Sequence, residues 1–175
     1  MSEIEVELTY LAKEIPKDLK RFQSKRIVDI YFPKKDLDRK IRLRQNGDTY
    51  EITKKYPLKG RDSSVQVEET IKLTKEEFEE FLVIDGLKLE KRRYNYEYMG
   101  RVCEVDTFEG DLSGLVVVDF EFDNEKEKNN FKKPKFCLVE VTQEKFMAGG
   151  TLAGKKYSDI EKDLSRFGYK KLKLD

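Results

Sequence analysis

Histidine is absent from this 175-residue chain, and its absence removes whole classes of chemistry. Without an imidazole there is no Ser-His-Asp or Cys-His nucleophile and no histidine-based zinc shell. Cysteine is scarce as well. Cys103 and Cys137 stand far apart with no CxxC spacing, and two thiolates cannot close a four-ligand structural zinc site. They read as buried free thiols in a reducing compartment, which points to the cytoplasm. No apolar run is long enough to span a bilayer, and the N-terminus lacks the apolar stretch of a signal peptide, so no membrane partner is expected. Nor is there an excess of either charge. Lys and Arg number 36 against 35 Asp and Glu, a net charge of +1, which argues against bulk binding of nucleic acid.

What is present is charge at high density: 41% of residues are charged and 38% hydrophobic, a lean supply of core for a compact fold. Turn signals cut the chain into short segments. "QNGD" (Gln45–Asp48) separates "KIRLR" from "TYEITKK" as a hairpin turn; "KGRDSS", "YMGR" and "EGDLSG" divide further strand-like runs. "TKEEFEEFL" opens with Thr74 and carries Glu77 three residues on, a capping box. "DNEKEKNNF" and "YSDIEKDLSRF" also read as helices, the second with Ser158 as its cap. The spacing predicts about eight strands with a few helices, and residues 1–175 read as a single domain.

The strands share a pattern. Glu3, Glu5 and Glu7 alternate with Ile4, Val6 and Leu8. Arg42 and Arg44 oppose Ile41 and Leu43, Glu104 and Asp106 oppose Cys103 and Val105, and Asp119 and Glu121 oppose Val118, Phe120 and Phe122. Lys91 pairs with Arg93 and Gln66 with Glu68 in the same way. Each polar face taken alone fits the solvated side of an antiparallel sheet. Taken together, the opposite faces are core faces, and the helices need apolar surface to cover. A sheet closed into a barrel with helices outside would turn the charged faces inward. Interior charges are costly unless paired or bound to something. Carboxylates and bases in one interior suit a metal-bound polyphosphate, with acids holding a hard cation and Arg and Lys holding phosphate oxygens.

In their order along the chain these segments resemble the CYTH domain proteins, the triphosphate tunnel metalloenzymes. "EVELTYLAKEIP" resembles their ExExK strand, with Glu5, Glu7 and then Thr9 where the family has lysine. "DIYF", "RLR" and "EITKK" resemble the next three strand motifs, the last placing Lys55 at the family's lysine, with Lys54 the alternative in the other register. "QVE", "KRR", "EVDTFEGDLSGL", "DFEF" and "VEVT" follow in the family's order. The resemblance implies an α+β fold, a closed eight-stranded antiparallel β-barrel with helices packed outside. It also implies divalent-metal-dependent hydrolysis of a triphosphate (inorganic, nucleoside or thiamine), with Mg²⁺ or Mn²⁺ as cofactor and a triphosphate-containing small molecule as partner. Metal binding is implied for Glu5, Glu7, Asp119 and Glu121, with Glu104 and Asp106 as further candidates. Phosphate binding is implied for Arg42, Arg44, Lys55, Lys91 and Arg93; Glu5, Glu7, Arg44 and Lys55 stand closest to the chemistry. Glu3 is expected at the tunnel mouth, and Lys155 or Lys156 is expected to close it. Two other readings stay open: a class IV adenylyl cyclase-like activity, through the D-x-Y-F motif, and a non-catalytic polyphosphate- or nucleotide-binding module, motivated by Thr9.

Overall fold

The computed structural model of the protein describes residues 2–36 and 40–174. Nine strands run in the order β1 (Ser2–Ala12), β2 (Ser24–Phe32), β3 (Ile41–Asn46), β4 (Thr49–Pro57), β5 (Val65–Leu73), β6 (Leu87–Tyr98), β7 (Arg101–Phe108), β8 (Val116–Phe122) and β9 (Cys137–Glu140). All pairings are antiparallel, and eight of the strands close a barrel in the circular order β1, β5, β4, β3, β2, β6, β7, β8. The ninth is an addition to the eight the barrel needs.

β1 is the seam. One of its edges pairs with β8 over Val6–Leu11. The other pairs with β5 over Ser2–Val6 and with β9 over Tyr10–Ala12. Between those two partners the exposed backbone donors of β1 would go unsatisfied, and buried orphans of this kind cost about 1–3 kcal/mol each. They are met locally: the Glu7 amide donates to the Ser64 carbonyl at 2.9 Å, and the Thr9 amide donates to Thr142 Oγ1 at 3.1 Å. The Thr9 carbonyl accepts from the Val141 amide at 2.8 Å. The segment that follows β9 is thereby pinned to position 9.

The hairpins form where the turn signals predict. β6 and β7 are joined by Met99 and Gly100, both in the left-handed region at φ 52° and 78°, the backbone a two-residue hairpin with right-handed strand twist requires. The described residues form four α-helices: α1 (Lys75–Phe81), α2 (Glu125–Asn129), α3 (Gly149–Leu152) and α4 (Tyr157–Ser165). The capping box of α1 is formed, with the Glu77 amide donating to Thr74 Oγ1 at 3.2 Å and the Thr74 amide donating to Glu77 Oε2 at 2.8 Å. Ser158 does not cap α4, contrary to expectation. The cap position is Lys156, whose amide donates to the Asp159 carboxylate at 2.8 Å, and Ser158 is an exposed residue of the first turn. No helix among the described residues is long and apolar enough to cross a membrane.

Two apolar clusters hold the barrel. One covers the outside of β1, β7 and β8, where Val6, Leu8, Val105, Val118 and Phe120 pack with Leu19 and Phe136. The other closes one end: Leu11, Tyr31, Leu89, Phe108 and Val117 meet Met147, Leu152 and the Ile160 and Leu164 stripe of α4. Each such side chain contributes roughly 1.5–3 kcal/mol when fully buried. The barrel therefore has an apolar floor and charged walls.

Candidate active site

The two-residue period of the strands sends every second side chain inward, and the inward set is the charged one. Glu5, Glu7 and Thr9 of β1, Arg42 and Arg44 of β3, Lys55 of β4, and Gln66 and Glu68 of β5 line one cavity of about 780 Å³. Lys91 and Arg93 of β6, Glu104 and Asp106 of β7, and Asp119 and Glu121 of β8 complete its wall. Every acid and base singled out in the sequence for metal or phosphate thus faces the same space. Lys54 does not; it is exposed on the outer face with its ammonium 5.7 Å from the Tyr56 ring, which settles the register in favour of Lys55. Glu3 and Lys156 are exposed and Lys155 is half-buried, and all three lie off the lining. The segment after β9 also lines the cavity, through Thr142, Lys145 and Thr151.

Circular strand order sorts the charges into two arcs. β7, β8 and β1 are neighbours and carry acids; β4, β3 and β6 carry bases, with Asp29 of β2 among them. Where the arcs meet, ion pairs form. At the β6–β7 border, Arg93 Nε and Nη2 donate to the two Asp106 oxygens at 2.8 and 2.7 Å, and Lys91 Nζ binds the same carboxylate. Arg93 also pairs with Glu104. Across the other border, Lys55 Nζ lies 2.5 Å from Glu5 and 2.9 Å from Glu7. Within the basic arc, Arg44 makes a two-pronged contact to Asp29 at 2.7 and 2.9 Å, and Arg42 reaches Glu68 at 3.1 Å and Tyr31 Oη at 3.4 Å. Arg42 Nε is buried with no hydrogen-bond partner among the described residues.

The electrostatics follow from that layout. Burial would raise the Asp106 carboxyl, but Arg93 and Lys91 outweigh it and hold it well below the usual carboxylate range. Burial would likewise raise Asp29, yet Arg44 holds it down at about 2. Burial would lower Lys55, but Glu7 and Glu5 keep its ammonium above its ordinary value. Lys91 goes the other way: burial and then repulsion from Arg93 push it down more than Asp106 restores.

The middle of the acidic arc has less relief: Asp119 lies 3.8 Å from Arg93 Nη2, and no ion pair to Glu121 is present among the described residues. Cross-strand register sets Glu7 opposite Glu121 and Glu104 opposite Asp119, like charges in positions where they repel. Burial, followed by Asp106 and Glu7, pushes Asp119 up to about 7; its Oδ1 accepts the Thr9 hydroxyl at 2.7 Å. Burial, then Glu104, Glu5 and Glu7, raises Glu121, and burial raises Glu5 despite Lys55. All of these donors are carboxylate oxygens suited to a hard divalent cation. They do not stand as a finished cage: no group of three or more acidic residues converges on one point among the described residues, because Lys55 holds Glu5 and Glu7. The donor set fits a divalent cation by chemistry and by its uncompensated charge.

Asp29 lies in the "DIYF" run, and its alternation with Val28 and Ile30 is the sequence signal that places it inward. Nothing in the sequence marks Lys145, which reaches the cavity through a contact made by the far end of the chain.

No family model matches the chain. It is 33% identical over 115 residues to an inorganic triphosphatase of Nitrosomonas europaea, spanning 65% of this chain and 74% of that protein. A second relative, an inorganic triphosphatase of Acetivibrio thermocellus, is 28% identical over 129 residues, 72% of this chain and 79% of its own length. Among solved structures, the crystal structure of an inorganic triphosphatase superposes with a TM-score of 0.63 at 26% identity, covering 86% of this chain and 95% of that one. A Bacillus halodurans protein proposed to be an adenylate cyclase shares the fold at 17% identity with a TM-score of 0.54, covering 99% of this chain and 95% of that one. The inward-facing motifs, the closed barrel and these relatives agree, and the chain belongs to the CYTH, or triphosphate tunnel, family.

Proposed function

We propose that the protein is a divalent-metal-dependent triphosphatase whose substrate is inorganic triphosphate, bound in the charged cavity. One observation carries this reading: an arc of mutually repelling carboxylates faces an arc of guanidinium and ammonium groups across a space of about 780 Å³. The relatives named as inorganic triphosphatases support the choice of substrate.

Glu5, Glu7 and Glu121 would hold Mg²⁺ or Mn²⁺, with Glu104 beside them. A cation bound there supplies charge neutralisation on the phosphate oxygens and lowers the pKa of a bound water. Asp106 is better read as an anchor than as a ligand, since both its oxygens are engaged by Arg93 and one also by Lys91. The basic arc binds and orients the phosphate chain. Arg42 offers its unpartnered Nε, Arg44 is held rigid by Asp29, and Lys91 and Arg93 are fixed by Asp106, so little reorganisation accompanies binding. Lys55 is free to turn to a phosphate oxygen once its carboxylates have another cation. Asp119, its pKa pushed up to about 7, accepts the proton of the attacking water at Oδ2, the oxygen that Thr9 does not engage and that lies 3.8 Å from Arg93.

The test is phosphate release from inorganic triphosphate in Mg²⁺, Mn²⁺ or EDTA, for the natural chain and for Glu5→Gln and Arg44→Ala. Release that needs metal and falls at least about a hundredfold in each variant is expected, since each removes charge stabilisation at the reacting phosphate. Release unchanged in both variants rules the site out. Thr9 favours a second reading, a triphosphate-binding module without turnover, because a hydroxyl cannot neutralise phosphate. Calorimetric binding with no phosphate release would select it. Cyclic AMP formed from ATP would instead select the cyclase-like reading.

A further inference from the structure

Five cations of the cavity wall, Arg42, Arg44, Lys55, Lys91 and Arg93, each sit in an ion pair with a carboxylate. Lys145 lines the same cavity, is exposed to it, and forms no side-chain hydrogen bond or ion pair among the described residues. Its neighbour Glu144 is the obvious local partner, but that carboxylate is engaged by Arg166 of the stretch after α4, at 3.2 Å. The backbone around Lys145 is nonetheless fixed. Val141 and Thr142 are hydrogen-bonded to the two backbone groups of Thr9. The Glu144 amide donates to the Val141 carbonyl at 3.0 Å, and the Met147 amide donates to the Glu144 carbonyl at 2.9 Å, while the Met147 side chain is buried in the apolar floor. A long, charged, unpaired side chain thus stands on a rigid turn tied to the one wall position where an acidic strand ends in a hydroxyl.

We propose that Lys145 is a substrate-binding residue that supplies, from the segment after β9, the positive charge that Thr9 does not supply from the wall, and that it grips a terminal phosphate of the chain. This inference rests on the triphosphatase reading. An ammonium already paired must give up its carboxylate to bind phosphate, so part of its attraction is offset; an unpaired one gives up water alone. Because Lys145 stands on the segment after β9 and not among the acids, its grip is the same before and during reaction, which is uniform binding.

Steady-state hydrolysis and calorimetric binding of inorganic triphosphate in the natural chain, Lys145→Ala, Lys145→Arg, Thr9→Lys and the Lys145→Ala/Thr9→Lys pair provide the test. Lys145→Ala should raise KM and Kd about tenfold with kcat within about twofold, the signature of lost uniform binding. Lys145→Arg should stay within about threefold of the natural chain, since a guanidinium also grips phosphate. Thr9→Lys in the Lys145→Ala background should recover most of the lost affinity, a non-additive cycle that a purely structural role would not produce. Natural-chain activity with an unchanged KM in Lys145→Ala overturns the proposal and leaves the triphosphatase reading standing. A loss that Thr9→Lys does not repair overturns it as well. A natural chain that neither binds nor hydrolyses triphosphate removes the reading and this inference together.

Discussion

Asp29 shows how a single side chain can serve both the fold and the site. It is 1% exposed, and its two oxygens take both prongs of Arg44, so the guanidinium that would meet phosphate is oriented before any phosphate arrives. Removing one member of a buried pair strands the other, and Asp29→Asn is expected to cost about 3–5 kcal/mol by urea unfolding at neutral pH. The pH dependence gives an independent check. The folded carboxyl is held at about 2 against an ordinary 3.8, so its contribution is present above the unfolded value and lost as pH falls through the folded one. That contribution is about 2 kcal/mol, and the natural chain should lose it as acid is added while Asp29→Asn does not. Parallel unfolding curves for the two across that window would show that the pair does not stabilise the fold.

At the scale of elements, α3 and the turn before it line one end of the cavity, and glycine sets how close they come. A Cβ at Gly149 would lie 2.2 Å from Tyr31 Oη, the hydroxyl that accepts from Arg42. Gly149→Ala must therefore move α3 or displace Tyr31, an overpacking strain of about 1–3 kcal/mol. A lowered melting temperature together with weaker triphosphate binding is expected; a fall in stability alone would mean that α3 shifts and the Arg42 contact survives. None of this contact was legible in the sequence, although much else was. The strict alternation in "EIEVEL", "RKIRLRQ" and "VVVDFEF" gives the inward faces, because a strand's period of two leaves no other way to bury its apolar half. The Thr74 and Glu77 pair gives the start of α1 because both partners of the cap are local. The start of α4 misleads for the same reason: Ser158 and Asp159 both suit a cap, and backbone geometry chooses the carboxylate. β9 and Lys145 are placed by pairing with β1, more than a hundred residues away, and no local pattern encodes such a contact.

For the whole molecule, near-neutral net charge conceals an interior divided against itself. The ion pairs at the arc borders favour the fold, while the centre of the acidic arc opposes it and stays available for function. Asp119 carries that conflict most plainly. Its folded pKa of about 7 lies above the ordinary 3.8, so the ionised form is disfavoured by folding. The sign is the reverse of that for Asp29: the penalty is absent below the unfolded value and grows as pH rises, complete once pH exceeds the folded one. Asp119→Asn removes the charge and still offers an oxygen to the Thr9 hydroxyl. It should melt higher than the natural chain at about pH 8 and lose the decline in stability between about pH 4 and 7. Asp119→Asn should have little turnover at any pH, since an amide cannot take the proton. Metal binding separates the roles. Mn²⁺ at about a hundred times its Kd stabilises a folded protein by about 2.7 kcal/mol, a melting shift measurable without substrate. That shift should persist in Asp119→Asn and vanish in Glu121→Gln, which places the cation on the outer carboxylates and the proton on the inner one. The opposite pattern, a shift lost with Asp119 and kept without Glu121, would exchange the two assignments.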